Sequence, residues 1–122
     1  MLIDAVSAIL LISDDAPRLA AFYRDTLELP LADEVHDDTP PHFGCEIGDV
    51  HFAIHPSEGW PGKRVDDGQS PVIALATRDV ARAAEKLRAA GIEPNGPFDH
   101  GFANTVSFRD PDGNLVEVLQ FK

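Results

Sequence analysis

Apolar residues recur along the chain with two periods, and the change from one period to the other marks the predicted elements. Residues 3–13, IDAVSAILLIS, are apolar at both alternating sets of positions, which predicts a strand covered on both faces. A helical stripe with i, i+3, i+4, i+7 spacing follows, formed by Leu19, Phe22, Tyr23 and Thr26. Asp14 or Asp15 can cap this helix at its N-terminus, and Pro30 ends it.

The same order of elements is predicted a second time further along. Strands are expected at residues 31–35, 43–47 and 50–55, the last two joined by the turn Gly48-Asp49. A second helix, ending near Gly91, has an apolar stripe formed by Val80, Ala83, Ala84 and Leu87. The second half also predicts strands at 72–77, 92–94, 105–108 and 115–121, with residues 95–102 read as a glycine- and proline-containing loop.

The two halves therefore read as two copies of a βαβββ unit, which defines an α+β fold. An offset of 65 residues places Asp14 on Asp79 at the start of each helix and Gly48 on Gly113 in a turn of each half. The 122 residues predict one domain, with a first module at 1–55, a linker at 56–71 and a second module at 72–122.

Composition limits the partners that are expected. The formal net charge of −11 disfavours nucleic-acid binding and favours cationic small molecules. The longest apolar run, residues 8–12, is too short for a membrane span, and the N-terminus lacks the basic region of a signal peptide. Cys45 is the only cysteine, which suits a cytoplasmic location. The acidic residue beside it, Glu46, argues against a reactive thiolate.

Three segments resemble the vicinal oxygen chelate superfamily, which includes glyoxalase I, extradiol dioxygenases and bleomycin-resistance proteins. They are LLISDDAPRLAAFYRDTLEL, TRDVARAAEKLRAAGI and FRDPDGNLVEVLQ, and they span nearly the whole chain in that order. The resemblance implies that the paired βαβββ modules curl into an open, barrel-like cleft with the helices outside. It also implies a small-molecule ligand in that cleft and a homodimer.

The resemblance further implies four positions for the ligands of a divalent metal ion in the metal-using members. In this chain those positions hold Ser7, Phe52, Val72 and Glu117. The offset of 65 relates Ser7 to Val72 and Phe52 to Glu117. Only Glu117 is a good ligand, and a metal site needs three or four. We therefore expect no metal or other cofactor, and a lone carboxylate in an otherwise apolar cleft.

Other candidate ligand-binding residues are aromatic or polar. Trp60, in the linker, can either pack against the domain or form a wall of the cleft. His100, Phe102 and Asn104 share one parity and can face one way if extended, and the corresponding loop lines the drug groove in bleomycin-resistance proteins. His51 and His55 lie on the strand face opposite Phe52 and Ile54, too far apart to share an ion, and a structural or interfacial role is expected for them.

Three functions remain open from the sequence. The first is a metal-free binding protein that sequesters a cationic or aromatic ligand, with Phe52, Ile54, Val72 and Leu119 lining its pocket. The second is a lyase, isomerase or dioxygenase that uses Glu117 as a general base or metal ligand. In the third, Glu117 only pairs with an arginine, such as Arg109 or Arg24, and the cleft is vestigial.

Overall fold

A computed structural model describes residue 2 and residues 4–35, 41–58 and 72–122. The chain divides into two compact units, Met1–Arg64 and Val65–Lys122. The first contains β1 (Ala8–Ser13), α1 (Ala16–Ala21) with a π-helical turn at Phe22–Thr26, β2 (Ala32–Glu34), β3 (His42–Ile47) and β4 (Val50–Pro56). The second contains β5 (Ile73–Ala76), α2 (Val80–Ala89), β6 (Asn95–Asp99), β7 (Ala103–Arg109) and β8 (Leu115–Phe121).

Each unit is built around a four-stranded sheet of the same topology. The strand order is β1-β4-β3-β2 in the first unit and β5-β8-β7-β6 in the second. In both, the first strand pairs in parallel with the last, and the remaining pairs are antiparallel. The predicted α+β fold of two βαβββ modules is confirmed.

Both helices begin with the same hydrogen-bonded cap. The carboxylate of Asp15 accepts from the backbone N–H of Arg18, and the hydroxyl of Ser13 accepts from the N–H of Asp15. In the second unit Asp79 and Thr77 make the corresponding bonds, Asp79 to the N–H of Arg82. These side chains satisfy backbone donors that a helix N-terminus would otherwise leave unpaired. The caps match at an offset of 64 residues, one less than the predicted offset.

The core of each unit lies between its helix and one face of its sheet, which we call the helix face. In the first unit the ring of Tyr23 lies 5.1 Å from that of Phe52, and Ile54, two residues further along β4, is also fully buried. In the second unit the side chain of Gln120 accepts from the N–H of Val80 at the start of α2. Because strand side chains alternate, the buried Val118 shares this helix face.

The opposite face, which we call the far face, therefore carries Glu117 in the second unit and His51, Ala53 and His55 in the first. This corrects the prediction that Phe52 and Glu117 occupy equivalent positions. The error came from matching Gly48 to Gly113. The first hairpin has a two-residue turn, Gly48-Asp49, because Ile47 pairs with Val50. The second has a five-residue turn, 110–114, because Arg109 pairs with Leu115.

Three predicted segments also differ from the structure. Residues 92–94, predicted as a strand, lie outside any strand. Residues 4–7 precede β1 rather than belong to it, although the carbonyl of Ser7 accepts from the N–H of His51. Residues 95–99, predicted as a loop, form the edge strand β6. Its register is irregular between Asn95 and Phe98, where Gly96 and Pro97 lie. Glycine and proline are tolerated at an irregular edge, so the loop-like composition concealed a strand.

Candidate functional site

Glu117 lies in the middle of the far face of the second sheet. It pairs with Ala74 on β5 and with Ser107 on β7, so its carboxylate is flanked by small side chains. The side chain is half-buried. Among the described residues no hydrogen bond or ion pair to Glu117 is found. Of its two predicted arginine partners, Arg109 donates to the carbonyl of Gly113 and Arg24 pairs with Asp25.

The donors at the four expected metal positions do not fit a metal ion. Phe52 lies on the helix face against Tyr23. With the corrected offset of 64, the equivalent of Glu117 in the first unit is Ala53 instead of Phe52. The equivalent of Val72 is Ala8 instead of Ser7. Neither alanine nor valine carries a ligand atom, and the hydroxyl of Ser7 is a poor ligand, so Glu117 is the single good ligand of this set under either offset. No step of a mechanism can be derived through a metal at these positions.

The predicted ligand-contacting residues do not share one surface. Phe52 and Ile54 are fully buried on the helix face, so the prediction that they line a pocket with Glu117 is wrong. Val72 is 52% exposed and precedes β5. Leu119 lies two residues after Glu117 on β8, so it shares the side of the sheet with Glu117, and it pairs with Thr105. Ser7 is exposed and precedes β1.

The second group of candidates lies at the turn between β6 and β7. His100 and Phe102 are exposed in this turn, and the ring of Phe102 lies 6.4 Å from that of Phe121. Asn104 lies within β7 opposite Gln120, which places it on the helix face. The expectation that the three residues face one way is therefore not met, because the chain turns between them. Trp60 lies outside the described residues.

The far face of the first sheet carries a cluster of titratable side chains that we call the His–Glu cluster: Glu34, His42, Glu46, His51 and His55. His51 Nδ1 lies 2.5 Å from Glu46 Oε1 and His51 Nε2 lies 3.1 Å from Glu34 Oε1. Glu34 Oε1 also lies 3.3 Å from His42 Nε2. The rings of His42 and His55 stack with centroids 4.0 Å apart. The structural role expected for the histidines agrees with these contacts.

Gly44 is the residue that makes room for this cluster. A Cβ added at Gly44 would lie only 1.9 Å from Glu34 Oε1 and 2.9 Å from His51 Nε2. Any other residue would displace the carboxylate and the ring. The hydrogen bond that His51 donates to Glu46 raises the pKa of His51. Partial desolvation opposes this shift, and the charge of Glu34 supports it. Among the described residues, no group of three or more His, Cys, Asp or Glu is arranged to hold a metal ion.

Cys45 lies between two members of this cluster in sequence but on the other side of the strand. It pairs with Phe52 and is buried with it on the helix face. Burial, followed by the charges of Glu46 and Glu34, raises the pKa of its thiol. A raised pKa keeps the thiol protonated and unreactive, as the sequence indicated.

The His–Glu cluster was not predicted as a unit, although two signals for it are present in the sequence. His42, Gly44 and Glu46 alternate along one strand, and His51 and His55 lie on the next. The hairpin turn at Gly48-Asp49 brings these two sets onto one face. Glu34 could not be added from sequence, because its pairing with His42 depends on the path of the chain between β2 and β3.

Comparisons with known proteins agree with the repeat and the topology. Residues 5–118 match the model of the Glyoxalase/Bleomycin resistance protein/Dioxygenase superfamily. The chain is 30% identical over 118 residues to biphenyl-2,3-diol 1,2-dioxygenase 3 of Rhodococcus globerulus, covering 84% of this chain and 62% of that protein. A 40-residue segment is 42% identical to biphenyl-2,3-diol 1,2-dioxygenase 2 of the same organism, covering 33% of this chain and 21% of that protein.

Solved structures share the fold at low sequence identity. TnmS3, an antibiotic binding protein from Streptomyces sp. CB03234, has a TM-score of 0.76 at 22% identity, with 100% of this chain and 99% of that chain covered. Lactoylglutathione lyase from Agrobacterium tumefaciens has a TM-score of 0.68 at 20% identity, with 95% and 92% covered.

The chain belongs to the glyoxalase/bleomycin resistance protein/dioxygenase superfamily. It spans less than two thirds of the length of the two Rhodococcus dioxygenases that it matches. Within the part of the chain that the structure describes, no helix is long and apolar enough to cross a membrane.

Proposed function

We propose that this protein binds a cationic or aromatic small molecule without a metal ion, and that Glu117 contacts the ligand. The observation that carries the proposal is the isolation of Glu117. Its carboxylate lies on the far face beside Ala74 and Ser107 and has no ion-pair partner among the described residues. A carboxylate is costly to desolvate unless a partner of opposite charge arrives with the ligand.

Three further observations support the proposal, and the first of them favours a cationic ligand. The net charge of −11 attracts cations to the surface and speeds their encounter with it. Leu119 supplies apolar area on the side of the sheet that carries Glu117, and binding sites typically combine such area with a few polar groups. A protein of the same fold, TnmS3, is described as an antibiotic binding protein.

A thermal-shift screen tests the proposal. The purified protein is screened against cationic aromatic compounds and against neutral and anionic analogues of the same ring systems. We expect selective stabilisation by some of the cationic compounds, because a ligand that binds only the folded state raises its stability by mass action. If no compound stabilises the protein, or if neutral and cationic analogues act equally, a cation-selective site is excluded.

Matched variants then assign the binding to Glu117. Glu117→Gln keeps the shape of the side chain and removes its charge, and should weaken binding of a cationic hit about tenfold or more, the loss of a charge-assisted contact. Glu93→Gln removes an exposed carboxylate that pairs with Arg88, and it should leave the affinity unchanged. Equal losses in both variants would mean that net charge rather than Glu117 governs binding.

A second candidate function is an enzyme of the same superfamily, a lyase, isomerase or dioxygenase. The match at 30% identity to a biphenyl-2,3-diol 1,2-dioxygenase favours it. Because the four expected metal positions supply only one ligand, the version that suits these residues is a metal-free isomerase or lyase with Glu117 as general base. A carboxylate can remove a proton from a substrate that lies within hydrogen-bond distance.

Two measurements separate the enzyme from the binding protein. Elemental analysis of the purified protein tests for stoichiometric Ni, Zn, Fe or Mn, and such a metal would overturn the metal-free proposal. With any substrate that is turned over, Glu117→Gln should abolish turnover and leave substrate affinity nearly unchanged if Glu117 is the base. In the binding protein the same variant should instead lose affinity. We also propose that the protein forms a homodimer and is located in the cytoplasm.

A further inference from the structure

The His–Glu cluster of the first unit has a proton requirement that follows from its geometry. Both ring nitrogens of His51 lie within hydrogen-bond distance of carboxylate oxygens, Nδ1 of Glu46 Oε1 and Nε2 of Glu34 Oε1. An ionised carboxylate only accepts hydrogen bonds, and both nitrogens of histidine donate only when the ring is an imidazolium. A neutral histidine between two ionised glutamates has one N–H and can donate only one of these hydrogen bonds. Both bonds therefore require that Glu34, His51 and Glu46 together hold one additional proton.

We propose that Glu34, His51 and Glu46 form a proton-binding site that ties β2 to β4 across β3. The tie matters because β2 is a three-residue strand at the edge of its sheet, joined to β3 alone. Glu34 is the last residue of β2, and its side chain reaches over Gly44 on β3 to His51 on β4. When the extra proton leaves, one of the two hydrogen bonds is lost and two carboxylates remain near an uncharged ring.

The groups that face His51 set the direction of the pH dependence. Among the described residues, the titratable side chains on its far face are Glu34, His42, Glu46 and His55. The adjacent strand β1 contributes Ala8, Leu10 and Ile12, which do not titrate. The two carboxylates favour the charged ring, Glu46 most strongly, and they raise the pKa of His51 above its ordinary value of 6.5. Protonation of the stacked His42 or His55 would act against this, through repulsion between like charges.

The sign of the effect on stability follows from this direction. A group with a raised pKa in the folded state stabilises the fold fully below its unfolded-state pKa, and that contribution is lost as the pH rises through the folded-state pKa. The tie is therefore fully present below the unfolded-state pKa of His51 and is lost as the pH rises through its folded-state pKa.

Nuclear magnetic resonance of the imidazole nitrogens tests the proton directly in the wild-type protein. We expect both nitrogens of His51 to show imidazolium shifts below its titration midpoint, and this midpoint to lie above the ordinary histidine value of 6.5. In Glu46→Gln the midpoint should move to lower pH, and in Glu93→Gln it should not move. A titration midpoint of His51 at or below 6.5 in the wild-type protein would overturn the proposal.

Hydrogen exchange tests whether the proton holds β2. After correction for the intrinsic pH dependence of exchange, the amides of β2 should exchange faster above the His51 midpoint than below it, while those of β6, the corresponding edge strand of the second unit, should show no such step. The step should be absent in His51→Gln. It should also be absent in Glu34→Gln, which is a second variant for the same test. Exchange in β2 that is independent of pH across the midpoint would show that the proton does not tie the strand.

Discussion

The two units differ mainly in the chemistry of one face. Each has a helix capped by an aspartate, a parallel first-to-last strand pair and an apolar helix face. Their far faces have little in common. In the first unit the far face holds three histidines and two glutamates in mutual contact. In the second, Glu117 lies between Ala74 and Ser107.

The difference shows which residues the fold requires and which it leaves free. Alternation along a strand lets one face keep the core packed while the other changes its side chains. A carboxylate is accommodated in both units by different means. In the first it is paired with histidines above a glycine, and in the second it is half-buried beside small residues. We expect substitutions on the helix faces to cost stability, and those on the far faces to alter function or titration first.

The largest expected effect is on the helix face. Phe52→Ala should lower the free energy of unfolding by about 3–5 kcal/mol, because it empties a fully buried position against Tyr23. Phe102→Ala, in the exposed turn, is the matched control and should change it by less than about 0.5 kcal/mol. Urea unfolding followed by circular dichroism measures both. Similar small losses in the two variants would contradict the assignment of Phe52 to the core.

The next effect concerns the glycine beneath the His–Glu cluster. Gly44→Ala should destabilise the protein by about 1–3 kcal/mol, since its Cβ overlaps the carboxylate of Glu34 and must displace it. Ser107 occupies the corresponding position beside Glu117, and Ser107→Ala should have little effect. The titration midpoint of His51 should also fall in Gly44→Ala. An unchanged midpoint would show that the cluster adapts without losing its hydrogen bonds.

A smaller effect, equal in the two units, is expected at the helix caps. Asp15→Ala and Asp79→Ala should each cost about 1 kcal/mol, because each removes the acceptor for a backbone N–H in the first turn. Thermal unfolding of the two variants and of the double variant measures the costs. If one substitution costs several times more than the other, the units are less alike at their helix starts than their hydrogen bonds indicate.

The smallest expected effect on stability is at Glu117. Glu117→Gln should change the free energy of unfolding by less than about 0.5 kcal/mol, because no partner for the carboxylate is found among the described residues. Glu34→Gln should cost more, since Glu34 contacts two histidines. Chemical unfolding of both variants at neutral pH makes the comparison. A large loss in Glu117→Gln alone would support a structural ion pair instead of a ligand-binding role.

The sequence was sufficient to predict the elements whose position depends on local residue patterns and capping residues. In the predicted stripe of α2, Val80, Ala84 and Leu87 are buried and Ala83 is half-buried, and Gly91 follows α2 with a positive φ of 84°. The β8 strand was predicted with its observed bounds. Asn95–Asp99 was missed because its glycine and proline are typical of loops, and only pairing with β7 makes it a strand.

The candidate site was less predictable, because it depends on which face a strand presents. Glu117 has no hydrogen bond or ion pair among the described residues, and its expected place in an apolar cleft stays a prediction. Phe52 was placed on the wrong face by one residue, a shift that inverts every side chain of a strand. A better signal was present in the sequence. Ser13 and Asp15 match Thr77 and Asp79 as a hydroxyl two residues before a capping aspartate, and this match gives the offset of 64.

The five-residue turn of the second unit has a consequence for how such chains diverge. The carboxylate of Asp110 accepts from the backbone of Asp112, and from both the backbone and the side chain of Asn114, so the turn is held by its own hydrogen bonds. A self-contained turn can be inserted or deleted without sliding the strands on either side. The two units can therefore differ in length at this point while the strand pairing on either side of the turn is kept.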